Sequence, residues 1–197
     1  VAPDLVDRLV DAAERDPSIA LCGPEMYRYH QPDTLWAAGG DVSAWTGRSY
    51  HHETNGLAGP TDVGYIPGAA MLVRRDAFES VGFFEPAFHA YFEEVDFAFR
   101  VRRRGHRVVC VPDARVWHKI GATMTRVYTA EQRKFYGVRN RRWVLRTHAP
   151  MWKRPFLHAI DALASAFHFA FTMARSPGEA RAVFRGYCAG WRQADLR

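Results

Sequence analysis

Cysteine is scarce. The chain has three, Cys22, Cys110 and Cys188, far apart and without a C-x-x-C pair. An odd, dispersed set excludes a disulfide framework and a zinc ribbon, and it suits a reducing cytosol. Internal repeats and low-complexity tracts are absent as well. The first eighteen residues, VAPDLVDRLVDAAERDPS, lack the apolar run of a secretory signal and predict an acidic amphipathic helix instead. The chain also lacks an initiator Met and enters that helix almost at once, so it is expected to be a portion of a longer one.

What is present supports a folded core. With 48% apolar residues over 197 positions, the chain has the size of one ordinary domain with room for an appendage. Its net charge of +6 hides a division: residues 1–125 carry 13 Lys/Arg against 17 Asp/Glu, and residues 126–197 carry 14 against 4. Positive charge confined to one segment points to a tail that meets an anionic surface or ligand. A nucleic-acid-binding module would draw on that tail alone, and the sequence holds no recognised reading motif, so no nucleic-acid partner is expected.

Periodicity predicts a helix at 4–15, with Leu5, Leu9, Ala12 and Ala13 on one face. A short buried strand, IALCGP, should stop at Gly23-Pro24, and residues 25–62 read as irregular. VGYIPGAAMLVRR reads as a strand interrupted by Pro-Gly, followed by a short helix ending at Gly82. A further helix ends at Gly105, and RVVCVP is a strand. The last third reads as three helices, at 129–147, 155–174 and 178–193. Alternating short strands and helices predict an α/β layer domain over 1–125, followed by a basic helical extension over 126–197.

The acidic cluster is the main candidate for chemistry. In HAYFEEVDFAFRVRRRGHRV, Glu93, Glu94 and Asp96 open a helix. Glu93 and Asp96 share one face, while Glu94 turns about 100° towards Phe97 and Val101. Carboxylates at a helix N-terminus are favoured by the macrodipole, so a solvated or capping turn accounts for them as well as a general base does. Arg100, four residues after Asp96, is placed for an ion pair.

Residues 64–123 resemble the second half of the catalytic domain of family 2 glycosyltransferases, nearest the bacterial rhamnosyltransferase-like branch. The resemblance rests on Gly68-Ala69, Val81-Gly82, Phe84-Glu85, Tyr91, Glu93-Glu94, Asp96, Arg100, Gly105, Pro112 and His118. The upstream stretch to Gly40 is similar to the segment immediately after the family's metal-binding Asp-x-Asp motif. KFYGVRNRRWVLRTHAP resembles the basic segment after the catalytic domain. One departure is that Glu94 stands where the family usually has Asp.

The resemblance implies a partial GT-A-like domain, the acceptor-side part of an inverting transferase that would take a nucleotide diphosphate sugar such as dTDP-rhamnose. The acceptor would be a glycan or a lipid-linked saccharide. Glu94 would be the base, with Glu93 and Asp96 orienting neighbours and Arg100 and the Gly68-Ala69 strand near the donor. It also implies that His118 joins the Asp-x-Asp carboxylates on Mn2+ or Mg2+, and those carboxylates would lie before Val1. Read without the resemblance, His118 is a structural histidine.

Trp45 and Arg48 sit in a loop suited to a sugar or diphosphate lip; Trp36 is expected to plug the core, and for Trp45 both the lip and the plug stay open. The His51-His52 pair reads as solvated. In 155–174, Phe156, Ile160, Leu163, Phe167, Phe171 and Ala174 form an apolar stripe, opposite His158, Asp161, Ser165, His168 and Thr172. Asp161 and two His argue against a spanning helix. Two alternatives stay open: the stripe lies in an anionic membrane interface, or it packs on the catalytic part. The first makes the protein peripheral at the cytoplasmic inner face of the cell membrane. A catalytically inactive, membrane-binding module is the remaining alternative.

Overall fold

Gly23 and Pro24 do not end the first strand. In the computed structural model, which describes residues 1–53 and 57–192, strand β1 runs from Ile19 to Arg28 and passes through both. It pairs in parallel with β7, Arg107–His118, which likewise runs past Pro112. The two prolines fit because the ladder slips between them: Pro24 stands opposite Val111, but Glu25 stands opposite Arg115. Residues 112–114 bulge out, and a bulge is where a strand can lose a donor. Gly23 has its own reason to be there. A Cβ at that position would come within 2.2 Å of Ile66 Cγ2.

Two compact units make up the chain. The first comprises Val1–Val42, Ser49–Phe84 and Glu94–Ile120. Its sheet has the order β2-β1-β7-β5, where β2 is Gln31–Ala37 and β5 is Thr61–Asp62. β6, Leu72–Val73, pairs with β1. Only β1–β7 is parallel among these pairings; the others are antiparallel. A small second sheet joins β3, Gly40–Val42, to β4, Ser49–His51. Much of the span expected to be irregular is therefore hairpin. Helix α1, Leu5–Arg15, buries the predicted Leu5, Leu9, Ala12 and Ala13. Helix α2 is Arg75–Val81, and Gly82 ends it with φ of 78°. Helix α3 is Glu93–Arg103. Mixed sheet and flanking helices give the expected α/β class, as in a GT-A-like domain.

The second unit comprises Ser43–Arg48, Glu85–Glu93 and Gly121–Arg197. Its helices are α4, Ala122–Val127, α5, Ala130–His148, α6, Arg154–Met173, and α7, Pro177–Arg192. Thr129 and Gln132 cap α5 reciprocally: the Thr129 hydroxyl accepts from Gln132 N–H, and the Gln132 side chain accepts from Thr129 N–H. The end of the third predicted helix, at 193, and the rest of the extension to 197 lie outside the described residues.

Buried polar groups organise this unit. Asp161 of α6, 1% exposed, pairs with both Arg141 and Arg142 of α5. Arg142 also lies over the rings of Tyr187, at 3.9 Å, and Trp191, at 4.6 Å, both on α7. A carboxylate and a guanidinium this deeply buried hold their charge only through such partners.

Candidate functional site

Glu94, the first residue of α3 that belongs to the first unit, stands beside the turn at Gly68. A Cβ added at Gly68 would lie 3.9 Å from Glu94 Cβ, an ordinary contact, with no other atom within 4 Å. Sequence reading put Gly68 and Ala69 inside a strand. The structure corrects this: both are exposed residues of a turn, between the buried Pro67 and β6. The backbone there is open to close approach by a ligand.

Behind that turn lies Tyr65, 2% exposed, whose phenol is pushed well up by burial and further by the Glu94 charge. Its hydroxyl is 3.2 Å from His51 Nδ1. The His51 ring lies 4.5 Å from Trp36, and Trp36 lies 5.1 Å from His118. A row of rings thus runs Tyr65, His51, Trp36, His118. Two expectations are revised here. Trp36 is half-buried between two imidazoles and is not a core plug. His51 is partly buried within the row, and His52 bonds to Asp41 Oδ2 at 3.0 Å, so neither is merely solvated. The row escaped sequence reading because its members come from β2, β4, the strand-like bridge at Tyr65 and the end of β7.

Burial lowers the affinity of His51 and His118 for a proton, so both favour the neutral imidazole at neutral pH. A neutral imidazole is the form that ligates metals. Yet no group of three or more His, Cys, Asp or Glu able to hold a metal occurs among the described residues. The donor set for Mn2+ or Mg2+ is therefore incomplete within them, and the chemistry derived for this chain is routed through its own side chains.

Asp96 and Arg100 do structural work. Asp96 is 3% exposed and accepts from Arg100 Nε at 2.8 Å. The rest of the guanidinium binds backbone carbonyls after α2, including Val81 O at 2.5 Å and Phe83 O at 2.9 Å. With its donors spent this way, Arg100 is a clamp between α3 and the end of α2.

The remaining candidates belong to the second unit. Trp45 is 57% exposed and Arg48 is exposed, on a loop held from below by α5. Arg141 Nη1 donates to Thr46 O at 2.8 Å, and Gly47, with φ of 65°, packs directly on Leu145. Lys153 Nζ lies 5.3 Å from the Trp45 ring.

Glu93 ends the segment Glu85–Glu93, whose backbone is unusual. His89, Tyr91 and Phe92 have φ of 63°, 66° and 70°, each a conformation that costs about 1–3 kcal/mol in a residue with a side chain. Asn140 holds it there, its amide donating to Phe88 O at 2.8 Å, Ala90 O at 2.6 Å and Tyr91 O at 2.8 Å. Arg139 adds bonds to Ala87 O and Phe88 O. The Glu93 carboxyl is raised above the usual carboxylate range, chiefly by burial, while its own backbone bond and nearby His89 oppose the shift. Arg139 and Asn140 lie in the KFYGVRNRRW stretch noted in the sequence, but their task was not legible there.

Comparison with known proteins decides the family. The family model described as glycosyl transferase family group 2 matches residues 1–187. The chain belongs to that family. It is 31% identical over 134 residues to an N-acetylglucosaminyl-diphospho-decaprenol L-rhamnosyltransferase of Mycobacterium tuberculosis, a match covering 59% of this chain and 42% of that protein. It is 28% identical over 134 residues to the O-antigen biosynthesis protein RfbC of Myxococcus xanthus, covering 62% of this chain and 10% of that protein. This family 2 chain thus spans less than half the length of the curated relatives it matches, and the rhamnosyltransferase-like likeness agrees with its motifs.

Proposed function

We propose that this chain supplies the acceptor-side part of an inverting glycosyltransferase, with Glu94 as general base. The observation that carries the reading is the setting of Glu94: its Cβ faces the exposed turn at Gly68, and its charge acts on the buried Tyr65 phenol, which belongs to a row of rings. An acceptor hydroxyl that meets the donor sugar at the Gly68 turn gives its proton to Glu94 as its oxygen bonds to the anomeric carbon. The bond from that carbon to the diphosphate breaks on the opposite face, and the nucleotide diphosphate leaves.

The likeness to a rhamnosyltransferase that acts on a diphospho-decaprenol saccharide favours dTDP-rhamnose as donor and a lipid-linked saccharide as acceptor. Exposed Trp45 and Arg48 offer a stacking face and a cation for such groups. His118 is suited to one position on a divalent cation whose other ligands would come from outside residues 1–197. An acceptor of this kind, together with the basic second unit, supports a location at the inner face of the cell membrane.

A second reading has its own observation. Glu93 has the raised carboxyl, and a base matched to neutral pH is commonly found by such a shift. Assay of the intact protein that carries this chain tests both, with dTDP-rhamnose and a prenyl-diphospho-N-acetylglucosamine acceptor. Rhamnosylated product with inverted anomeric configuration is expected. Retention of configuration would rule out the direct displacement.

A further inference from the structure

Helix α6 is built inside out. Of its twenty residues ten are exposed, and all ten are Pro, Ala, Leu, Phe or Met, among them Phe156, Leu163, Phe167 and Phe171 at 64%, 74%, 76% and 50% exposure. Its buried residues are Leu157, Asp161, Ser165 and Thr172, three of them polar. In water a surface helix places these faces the other way round. An exposed apolar strip about 30 Å long, from twenty residues at 1.5 Å each, is a contact surface for something apolar. The strip continues into a groove of 690 Å3 between α6 and α7, walled by Ala162, Ala166, Phe169, Val183 and Phe184 and flanked by Arg181 and Arg185. Met151 and Trp152, 78% and 69% exposed, extend it at the start of α6.

Charge selects the occupant. Lys153 and Arg154 stand at one end of α6, Arg175 just past the other, and Arg181 and Arg185 on α7. The single carboxylate of α6, Asp161, is buried and already paired. A second copy laid on this face would set cations against cations. An anionic phospholipid bilayer offers hydrocarbon to the strip and phosphates to the cations.

By length and composition Met151–Met173 would also cross a membrane. Its inner face argues otherwise. Asp161 is zipped to Arg141 and Arg142 of α5, a helix that carries six Lys/Arg, and spanning would strip those pairs or draw α5 into hydrocarbon.

We propose that α6 and the α6/α7 groove form a monotopic insertion surface. The apolar strip lies in the acyl–headgroup boundary of an anionic membrane, parallel to its plane, with Leu163 and Phe167 along its deepest line. The proposal rests on the membrane location proposed for the enzyme, and it adds which side chains enter the lipid and how deep.

The test uses the 197-residue chain with a polarity-sensitive fluorophore on Phe167→Cys in a Cys188→Ser background, mixed with phosphatidylcholine vesicles with and without phosphatidylglycerol. The expected result is a blue shift on the anionic vesicles, quenched best by lipids carrying a shallow quencher. Leu163→Glu/Phe167→Glu, both at exposed positions and checked for helicity by circular dichroism, should lower partitioning about tenfold or more. Binding to anionic vesicles with the probe still in water would overturn insertion and leave the membrane location standing. Failure of the unlabelled chain to bind any vesicle would overturn both. Quenching strongest at the bilayer centre would show a span, and sedimentation of the lipid-free chain as a dimer through this face would show a second copy. Either overturns the proposal.

Discussion

Asn140 donates its side-chain amide to the carbonyl of Tyr91, 2.8 Å away and two residues before the acidic pair. With its bonds to Phe88 and Ala90, one buried side chain holds three carbonyls of a segment that would otherwise relax from its positive φ angles. Asn140→Ala should therefore destabilise the protein by about 1–3 kcal/mol, the cost of leaving buried acceptors unmet. Turnover should fall more than stability accounts for, since Glu93 follows directly. Thermal unfolding and steady-state kinetics on one preparation check this, and Asn140→Asp, which has no amide donor, should resemble the alanine variant.

The acidic cluster itself was legible, because its spacing carried the family resemblance. The helices were legible too, with α1, α2 and α5–α7 starting within a residue or two of the reading: apolar periodicity marks α1, α6 and α7, and Gly82 closes α2. The strands were less so. Gly23-Pro24 and Pro112 look like stops, and only the bulge that holds Pro112 and follows Pro24 lets β1 and β7 run on. The ring row and the Asn140 clamp were invisible for a different reason. Each joins residues far apart in sequence, His51 to His118 through Trp36 and Asn140 to Phe88, and no local pattern encodes such pairings. The apolar stripe of α6 was seen, but the Arg141 and Arg142 partners that bury its polar face were not.

Glu93 should leave a signature in stability. Its folded carboxyl is raised, so protonation favours the folded state, and the stabilisation present at low pH is lost as pH rises through the folded value. Glu93→Gln has no proton to lose there. Melting temperatures from pH 4 to 8 should converge for the two proteins at the acid end, and the variant should be the more stable at neutral pH.

Gly68→Ala separates fold from function. The added methyl meets only Glu94 Cβ, at 3.9 Å, so the melting temperature should hardly change. If substrate approaches this turn, kcat/KM should fall by about tenfold, or roughly 1.4 kcal/mol. Unchanged kinetics would move the acceptor elsewhere.

Asp161→Ala leaves Arg142 buried without its carboxylate and should cost about 3–5 kcal/mol in chemical denaturation. Asp161→Leu with Arg142→Met should recover only part of that loss, because Arg141 also gives up its carboxylate and, among the described residues, keeps only its bond to Thr46 O.

The general base is the centre of the account, and Glu94→Gln in the intact protein tests it most directly. The substitution keeps shape and removes the proton acceptor, so kcat should drop by about 10²-fold or more with donor affinity little changed, while Glu94→Asp, the family's usual residue, stays active. A near wild-type Glu94→Gln beside an inactive Glu93→Gln would contradict the account and hand the base to Glu93.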